Sequence, residues 1–404
     1  MATYTMLPVE EAAAIILAHT EPLGTERLPA SAAYGRVLAR ELRAPHPMPP
    51  FDASTVDGYA VLAGDPSPRR RVLAVVTAGR PVATPVRAGT AVRIMTGAPL
   101  PPGADAVIMQ EFTREDDGYV VLERGVRPGE NVNPCGQDIA AGQVVLSPGT
   151  PLGPAELGLL ATLGLTEVEV YRRPRVAVLS TGDELVEPDQ EAPYGAIRDS
   201  NRPALLAAVR EAGGEPLSLG IARDDAAEQR RLVERGLAEA DVLVTSGGVS
   251  VGTRDLIKPL LEELGTVYFG QVALKPGKPL TFAKVGPKAV FGLPGNPVSS
   301  LVSFEVFVRP ALRKMQGYAR LHRPTVAVTL EHAVRPTPDR TEYQRAIVTW
   351  RPDGLYARTT GLQSSSRLLS LVGANALLHI PPGTDTLPAG SRVQALLLGE
   401  LQPA

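Results

Sequence analysis

Residues 175–185 read RVAVLSTGDEL. The apolar run Val176–Leu179 suits a short buried strand, and the glycine-containing turn after it sets polar side chains at the strand's end. The same alternation continues downstream. NRPALLAAVREAGG (201–214) has an amphipathic helix pattern, PLSLGIA (216–222) reads as a strand, and 225–239 as a helix. DVLVTS (241–246) is a strand running into GGVSVG (247–252). A helix near 254–264, the strand TVYFGQVAL (266–274), the string KPGKP (275–279), two short strands and GLPGNP (292–297) come next. One long helix, SSLVSFEVFVRPALRKMQG (299–317), closes the unit. Strands alternating with helices over 174–320 predict a doubly wound α/β domain with a parallel sheet.

The flanks differ. PVEEAAAIILAHT (8–20) carries helical periodicity with acids early. From 46 to 140, short β-rich runs such as RVLAVVTA (71–78), AVRIMTG (91–97), DAVIMQE (105–111) and YVVLERG (119–125) are separated by Gly/Pro turns, which predicts antiparallel β structure. PAELGLLATLG (154–164) reads as a helix, so 1–45 and 141–173 are expected to form one discontinuous helical and linker domain. After 320 the runs shorten again (TVAVTL, RAIVTW, ALLHIP, RVQALLL), predicting a C-terminal β domain of barrel type over 321–404. The expected class is therefore α/β plus β, and a chain of 404 residues is long enough for several cores.

Composition narrows the function. A net charge of −2 gives no electrostatic footprint for nucleic acid. No apolar run is long enough to span a bilayer and the N-terminus lacks a signal-peptide pattern, so a cytoplasmic location is expected. The single cysteine, Cys135, excludes an internal disulfide. The five histidines are scattered without metal-binding spacing, and no GxSxG elbow, P-loop or GxGxxG occurs.

Ligands of open α/β sheets bind beyond the carboxyl ends of strands. Four polar or Gly-rich strings sit there: TGDEL, SGGVSVG, KPGKP and LPGNP. Their glycines let backbone approach a ligand and their amides can hold anions, which points to a phosphate-bearing ligand on Gly182, Asp183, Ser246, Gly247, Gly248, Pro294, Gly295, Asn296 and Pro297. Lysine is rare here, with only six in the chain, yet Lys275 and Lys278 stand three apart in a loop stiffened by proline. Two ammonium groups converging on one point suit an oxyanion. Asp183, Glu184, Asp224, Asp225 and Asp255 lie in or near the strand-end loops; acids beside a phosphate site hold Mg²⁺, and Glu184, Asp225 and Asp255 are the candidate ligands. Asp224 and Asp225 also read as helix N-caps.

Together these strings resemble the MoeA family, molybdopterin molybdenumtransferases that also occur as the E domain of gephyrin. The resemblance rests on PPFDASTVDGYAV (49–61), RIMTGAPLPPGADAVIMQE (93–111), GQDIAAG (136–142), VAVLSTGDEL (176–185), SNRPAL (200–205), VTSGGVSVGTRD (244–255), LKPGKPL (274–280), GLPGNPVSS (292–300), RTEYQRA (340–346) and TTGLQSSS (359–366). It implies an elongated four-domain homodimer whose α/β domain is similar to the adenylylating enzymes MogA and MoaB. It implies insertion of molybdate into molybdopterin-AMP with release of AMP, assisted by Mg²⁺. By motif position, Asp57, Thr96, Asp138, Glu184 and Asp255 would form the catalytic set, Asp57 facing the partner subunit's cleft. Lys275, Lys278, Ser299, Arg345 and Ser365 would hold the oxyanion or pterin side, and contact with a molybdopterin adenylyltransferase is implied. NVNPCGQDI departs from the family's more basic string, and Thr253 replaces an acid near Asp255. A molybdopterin adenylyltransferase and a gephyrin-like scaffold are the alternative readings.

Overall fold

A computed structural model describes residues 5–248 and 256–403. The chain forms two compact units, one comprising residues 1–39, 149–153 and 168–404, the other 40–148 and 154–167.

The first unit is built on a six-stranded sheet. Its strands lie in the order Glu215–Ala222, Arg175–Thr181, Val242–Ser246, Lys288–Leu293, Thr281–Val285, Thr266–Phe269. The first four run parallel, as the alternation of strands and helices predicts. The last two are antiparallel to their neighbours. The reason lies in the connection: only Gly286 and Pro287 separate Thr281–Val285 from Lys288–Leu293, too few residues for a crossover helix, so the chain must reverse as a hairpin. Gly286 supplies the positive φ of +55° that such a reversal requires.

Helices cover both faces of this sheet. On one face Val176, Val178, Val242, Val244, Phe282 and Phe291 pack with Leu205, Val209, Val302 and Phe307, and Val9, Ala12 and Ile16 of the N-terminal helix Val9–Ala18 join the same cluster. On the other, Ala177, Leu179, Leu243 and Val290 pack with Leu232, Val233, Ile257 and Leu261. The near-continuous apolar strands, buried on both sides, are what a parallel sheet needs. The long C-terminal helix of this domain is not regular. It runs as Pro297–Ser303, widens to a π segment at Phe304–Val308, and resumes at Arg309–Met315. Pro310 offers no N–H and its ring would strike the carbonyl one turn back, so the helix accommodates it by widening.

The same unit carries a closed barrel of five strands. Thr341–Arg351 pairs with Gly354–Thr359, which pairs with Thr325–Leu330, then Arg392–Leu397, then Ala376–Ile380, and the last returns to Thr341–Arg351. Its interior is small and aliphatic: Val328, Leu330, Ala346, Val348, Ala357, Leu378 and Ala395.

The second unit contains a six-stranded sheet, ordered Ala106–Met109, Gly58–Val61, Thr90–Ile94, Arg69–Val76, Tyr119–Leu122, Thr113–Asp116. Most neighbours are antiparallel as expected, but Arg69–Val76 and Thr90–Ile94 run parallel. The connection 77–89 is long enough to cross over, which a hairpin turn is not.

Candidate active site

In the first unit the chain order makes a switch point. From Arg175–Thr181 the next strand is added on one side (Glu215–Ala222) and the following one on the other (Val242–Ser246). The crevice at their carboxyl ends receives TGDEL, SGG and, one strand over, LPGNP.

Glycine is required at two of these turns. Gly182 has φ +144°, and a Cβ there would lie 2.5 Å from the Glu184 carboxylate, so Glu184 is folded back over its own turn. Gly247 has φ +89°, and a Cβ would meet the Thr181 carbonyl at 2.7 Å. The first and second loops therefore sit backbone against backbone, which no other residue allows. The Gly247 amide donates to the Leu293 carbonyl (3.1 Å) and Thr181 Oγ1 to the Ser246 carbonyl (3.4 Å). Ser246 Oγ donates to the Pro294 carbonyl (3.3 Å). The three strings thus form one connected rim.

The acids divide by role. Asp183 accepts the Asp224 amide (3.0 Å), joining the ends of two strands. Asp225 caps the helix Ala226–Glu239, accepting the Glu228 amide at 2.8 Å, which satisfies a helix-end donor. Asp255 lies outside the described residues. Among the described residues no group of three or more His, Cys, Asp or Glu side chains is placed to hold a metal ion.

The two lysines are engaged differently. Leu274–Lys275 forms a short parallel ladder with Thr341–Glu342, the start of the longest barrel strand. The Lys275 ammonium lies 3.4 Å from the buried Glu342 carboxylate and bonds Thr337 Oγ1. Glu342 is held in turn by the Thr337 amide (2.7 Å) and Gln344 Nε2 (3.0 Å). Lys278 is exposed. Between them Gly277, at φ +128°, packs on Ser303 and Leu274 with no room for a side chain.

Arg345 is buried, and its removal from water pushes its guanidinium down to about 10, still protonated at neutral pH. Its Nε donates to Ser370 Oγ (3.0 Å) and an Nη to the Ser364 carbonyl (3.1 Å), while its own amide donates to Gln363 Oε1 (2.8 Å). Arg345 thereby shapes the loop that carries Ser365. That loop returns to the rim: Asn296 Nδ2 donates to Ser365 Oγ (3.2 Å) and the Val298 amide to the Ser365 carbonyl (3.1 Å). Pro297 occupies the first turn of its helix, where a missing N–H costs nothing, and Ser299 is buried just beyond.

In the second unit Asp57 and Thr96 are in direct contact. Asp57 Oδ1 accepts both the Thr96 amide and its hydroxyl, each at 2.8 Å, and these bonds hold the carboxyl below its ordinary value of 3.8. Gly58 follows because a Cβ there would lie 1.9 Å from the Ile108 carbonyl, in the adjacent strand. Asp138 is exposed, its amide donating to the Met48 carbonyl (3.0 Å).

The sequence did not single out Asp199, Asn201, Thr337, Glu342 or Gln363. Asp199 and Asn201 stand just before and at the first residue of a helix, and Glu342 and Gln363 meet Lys275 and Arg345 only through contacts distant in sequence.

Comparison with known proteins fits this geometry. Three family models match in order: the MoeA N-terminal region (domains I and II) over residues 7–164, a probable molybdopterin binding domain over 177–314, and the MoeA C-terminal region (domain IV) over 327–398. A molybdopterin molybdenumtransferase of Haemophilus influenzae is 38% identical, with 92% of this chain covering 93% of that one. A gephyrin of Dictyostelium discoideum is 36% identical over 99% of this chain, which spans 63% of the gephyrin's length. Two crystal structures of molybdopterin biosynthesis MoeA proteins from Pyrococcus horikoshii superpose with a TM-score of 0.85 each, at 34% and 31% identity, covering 98% and 97% of this chain and 100% of theirs. The chain belongs to the MoeA family of molybdopterin molybdenumtransferases, transferases of molybdenum cofactor biosynthesis.

Proposed function

We propose that the chain inserts molybdate into molybdopterin-AMP and releases AMP. The observation that carries this reading is the connected rim of TGDEL, SGG and LPGNP at the switch point, with the KPGKP loop and the Arg345-shaped serine loop tied to the same domain. Backbone amides and glycines at such a rim suit the phosphoanhydride of the substrate. Lys275, Lys278 and Arg345 provide fixed positive charge for a dianionic oxyanion, and Ser299 and Ser365 provide hydroxyls beside it.

Glu184, Asp225 and Asp255 are proposed to hold Mg²⁺. Their donors are all carboxylate oxygens, which suits a hard cation, and Asp225 commits only Oδ1 to its helix. Mg²⁺ would supply charge neutralisation at the phosphoanhydride. The side chains of this chain supply the rest. Gly182, Asp183, Ser246, Gly247, Gly248, Pro294, Gly295, Asn296 and Pro297 orient the phosphates. Asp57, kept ionised by Thr96, would act with Asp138 as an acceptor for protons.

The active chain is proposed to be a homodimer in which Asp57 and Thr96 of one subunit serve the α/β domain of the other. It would act in the cytoplasm, on substrate delivered by a molybdopterin adenylyltransferase. No helix among the described residues is long and apolar enough to cross a membrane. The test is direct: purified chain with molybdopterin-AMP, molybdate and Mg²⁺ releases AMP in step with cofactor formation, and both stop with EDTA. AMP release that ignores molybdate would sink the insertion reading, and release unaffected by EDTA would sink the metal.

A further inference from the structure

Asn201 opens the helix Asn201–Glu211 at the edge of the switch-point crevice. Its Nδ2 donates to two different loops, to Ser246 Oγ at 2.7 Å and to the Gly295 carbonyl at 2.7 Å. Ser246 Oγ donates its own hydrogen bond to the Pro294 carbonyl. The orientation of the amide follows from chemistry. A carbonyl accepts only, and the serine has spent its proton, so both need a donor from Asn201 and only the NH₂ end can serve both. The other end confirms the cost: Asn201 Oδ1 is buried without a hydrogen-bond partner among the described residues. Among the described residues, Asn201 thus gives both of its donors to two neighbouring loops while its acceptor makes no bond.

The residue is itself locked from behind. Asp199 accepts the amides of Asn201 and Arg202, each at 3.1 Å, together with Ser180 Oγ (3.0 Å) and Arg202 Nε (3.1 Å). Ser180 belongs to the strand that leads into TGDEL. One buried carboxylate thus fixes the helix start against the first loop, and Asn201 carries that constraint across to the second and third.

We infer that Asn201 is the positioning residue that sets the SGG and LPGNP loops at a fixed separation for the phosphate-bearing substrate. It acts through Ser246 and Gly295 and not by touching substrate, since both of its donors are committed to these loops and its oxygen is buried. This rests on the reading of the crevice as the molybdopterin-AMP site.

The test uses the full chain with Asn201→Ala and with the near-isosteric Asn201→Asp, which fills the same space without the two donors. Each substrate is varied with the other saturating, alongside thermal unfolding. The expected result in both variants is a rise of about tenfold or more in KM for molybdopterin-AMP, with KM for molybdate within about twofold of wild type. Loosened loops should misplace the phosphates and leave the lysine side of the site untouched. An unchanged KM for molybdopterin-AMP, or equal rises for both substrates, overturns the positioning role. Wild-type chain that never releases AMP with molybdate overturns instead the activity on which the inference rests.

Discussion

Thr96 presents both its amide and its hydroxyl to a single oxygen of Asp57, each 2.8 Å away. A carboxylate with two donors on one oxygen stays ionised at pH values where an ordinary aspartate begins to protonate. The folded value is depressed, so the stabilisation is present above the unfolded carboxyl range and is lost as pH falls through the lowered folded value. Thr96→Ala keeps the amide, the larger cause, and removes the hydroxyl. The Asp57 midpoint should therefore move part of the way back towards 3.8, and the acid limb of activity should move up with it. Carbon-detected NMR titration of the side chain measures this; a midpoint no higher than wild type would discard the hydroxyl's role.

Gly247→Ala places a methyl 2.7 Å from the Thr181 carbonyl at a φ of +89°. Backbone strain of this kind costs roughly 1–3 kcal/mol. The urea midpoint should fall accordingly, and KM for molybdopterin-AMP should rise because the first and second loops are pushed apart. A variant as stable and active as wild type would show that the loops need not meet.

The two lysines should separate. Lys275→Ala leaves the buried Glu342 carboxylate without its cation and should lower stability by about 1–3 kcal/mol as well as weakening molybdate binding. Lys278→Ala removes an exposed charge and should weaken molybdate binding about tenfold, near 1.4 kcal/mol, with unfolding unchanged. Isothermal titration with molybdate, paired with thermal unfolding, distinguishes them. Equal loss of stability in both would contradict the asymmetry seen here.

The proposed sharing of the site between two subunits makes an arithmetic prediction. Asp57→Asn and Glu184→Gln chains should each be inactive alone. Refolded together at equal amounts, half the dimers would be mixed and each would carry one intact site, so activity should return to about a quarter of wild type. No recovery on mixing would place Asp57 and Glu184 in the same subunit's site or outside any site.

Much of this was legible in the sequence, for reasons that can be named. The parallel strands are nearly unbroken apolar runs, and their ends are marked by glycines, Gly182 at a positive φ beneath the Glu184 carboxylate and Gly247 against the Thr181 carbonyl. The edge hairpin was not legible, because Gly286–Pro287 and a crossover differ only in length, and the expectation of a wholly parallel sheet ignored that length. The parallel pair in the second unit was missed for the converse reason: the loop 77–89 carries no helix signal although it crosses over. The π segment was hidden because the apolar positions of SSLVSFEVFVRPALRKMQG continue on both sides of it and Pro310 alone betrays the break. Lys275 and Lys278 were visible as a pair through their rarity. Their different surroundings were not, since Glu342 is distant in sequence and reaches Lys275 only through the pairing of Leu274–Lys275 with Thr341–Glu342. Asn201 was invisible as more than a helix opener because its partners lie on two other loops.

That short pairing changes what the barrel is. Two rungs of ladder make the first lysine of KPGKP a continuation of barrel architecture, so any tilt of the barrel is transmitted to the ammonium as directly as to its own strands. A chain cut before Thr325 would keep every strand of the α/β sheet yet release Lys275 from its guide rail. The KPGKP loop of the α/β domain is thus not separable from the C-terminal barrel, and a single-domain α/β relative would have to hold such a loop by other means.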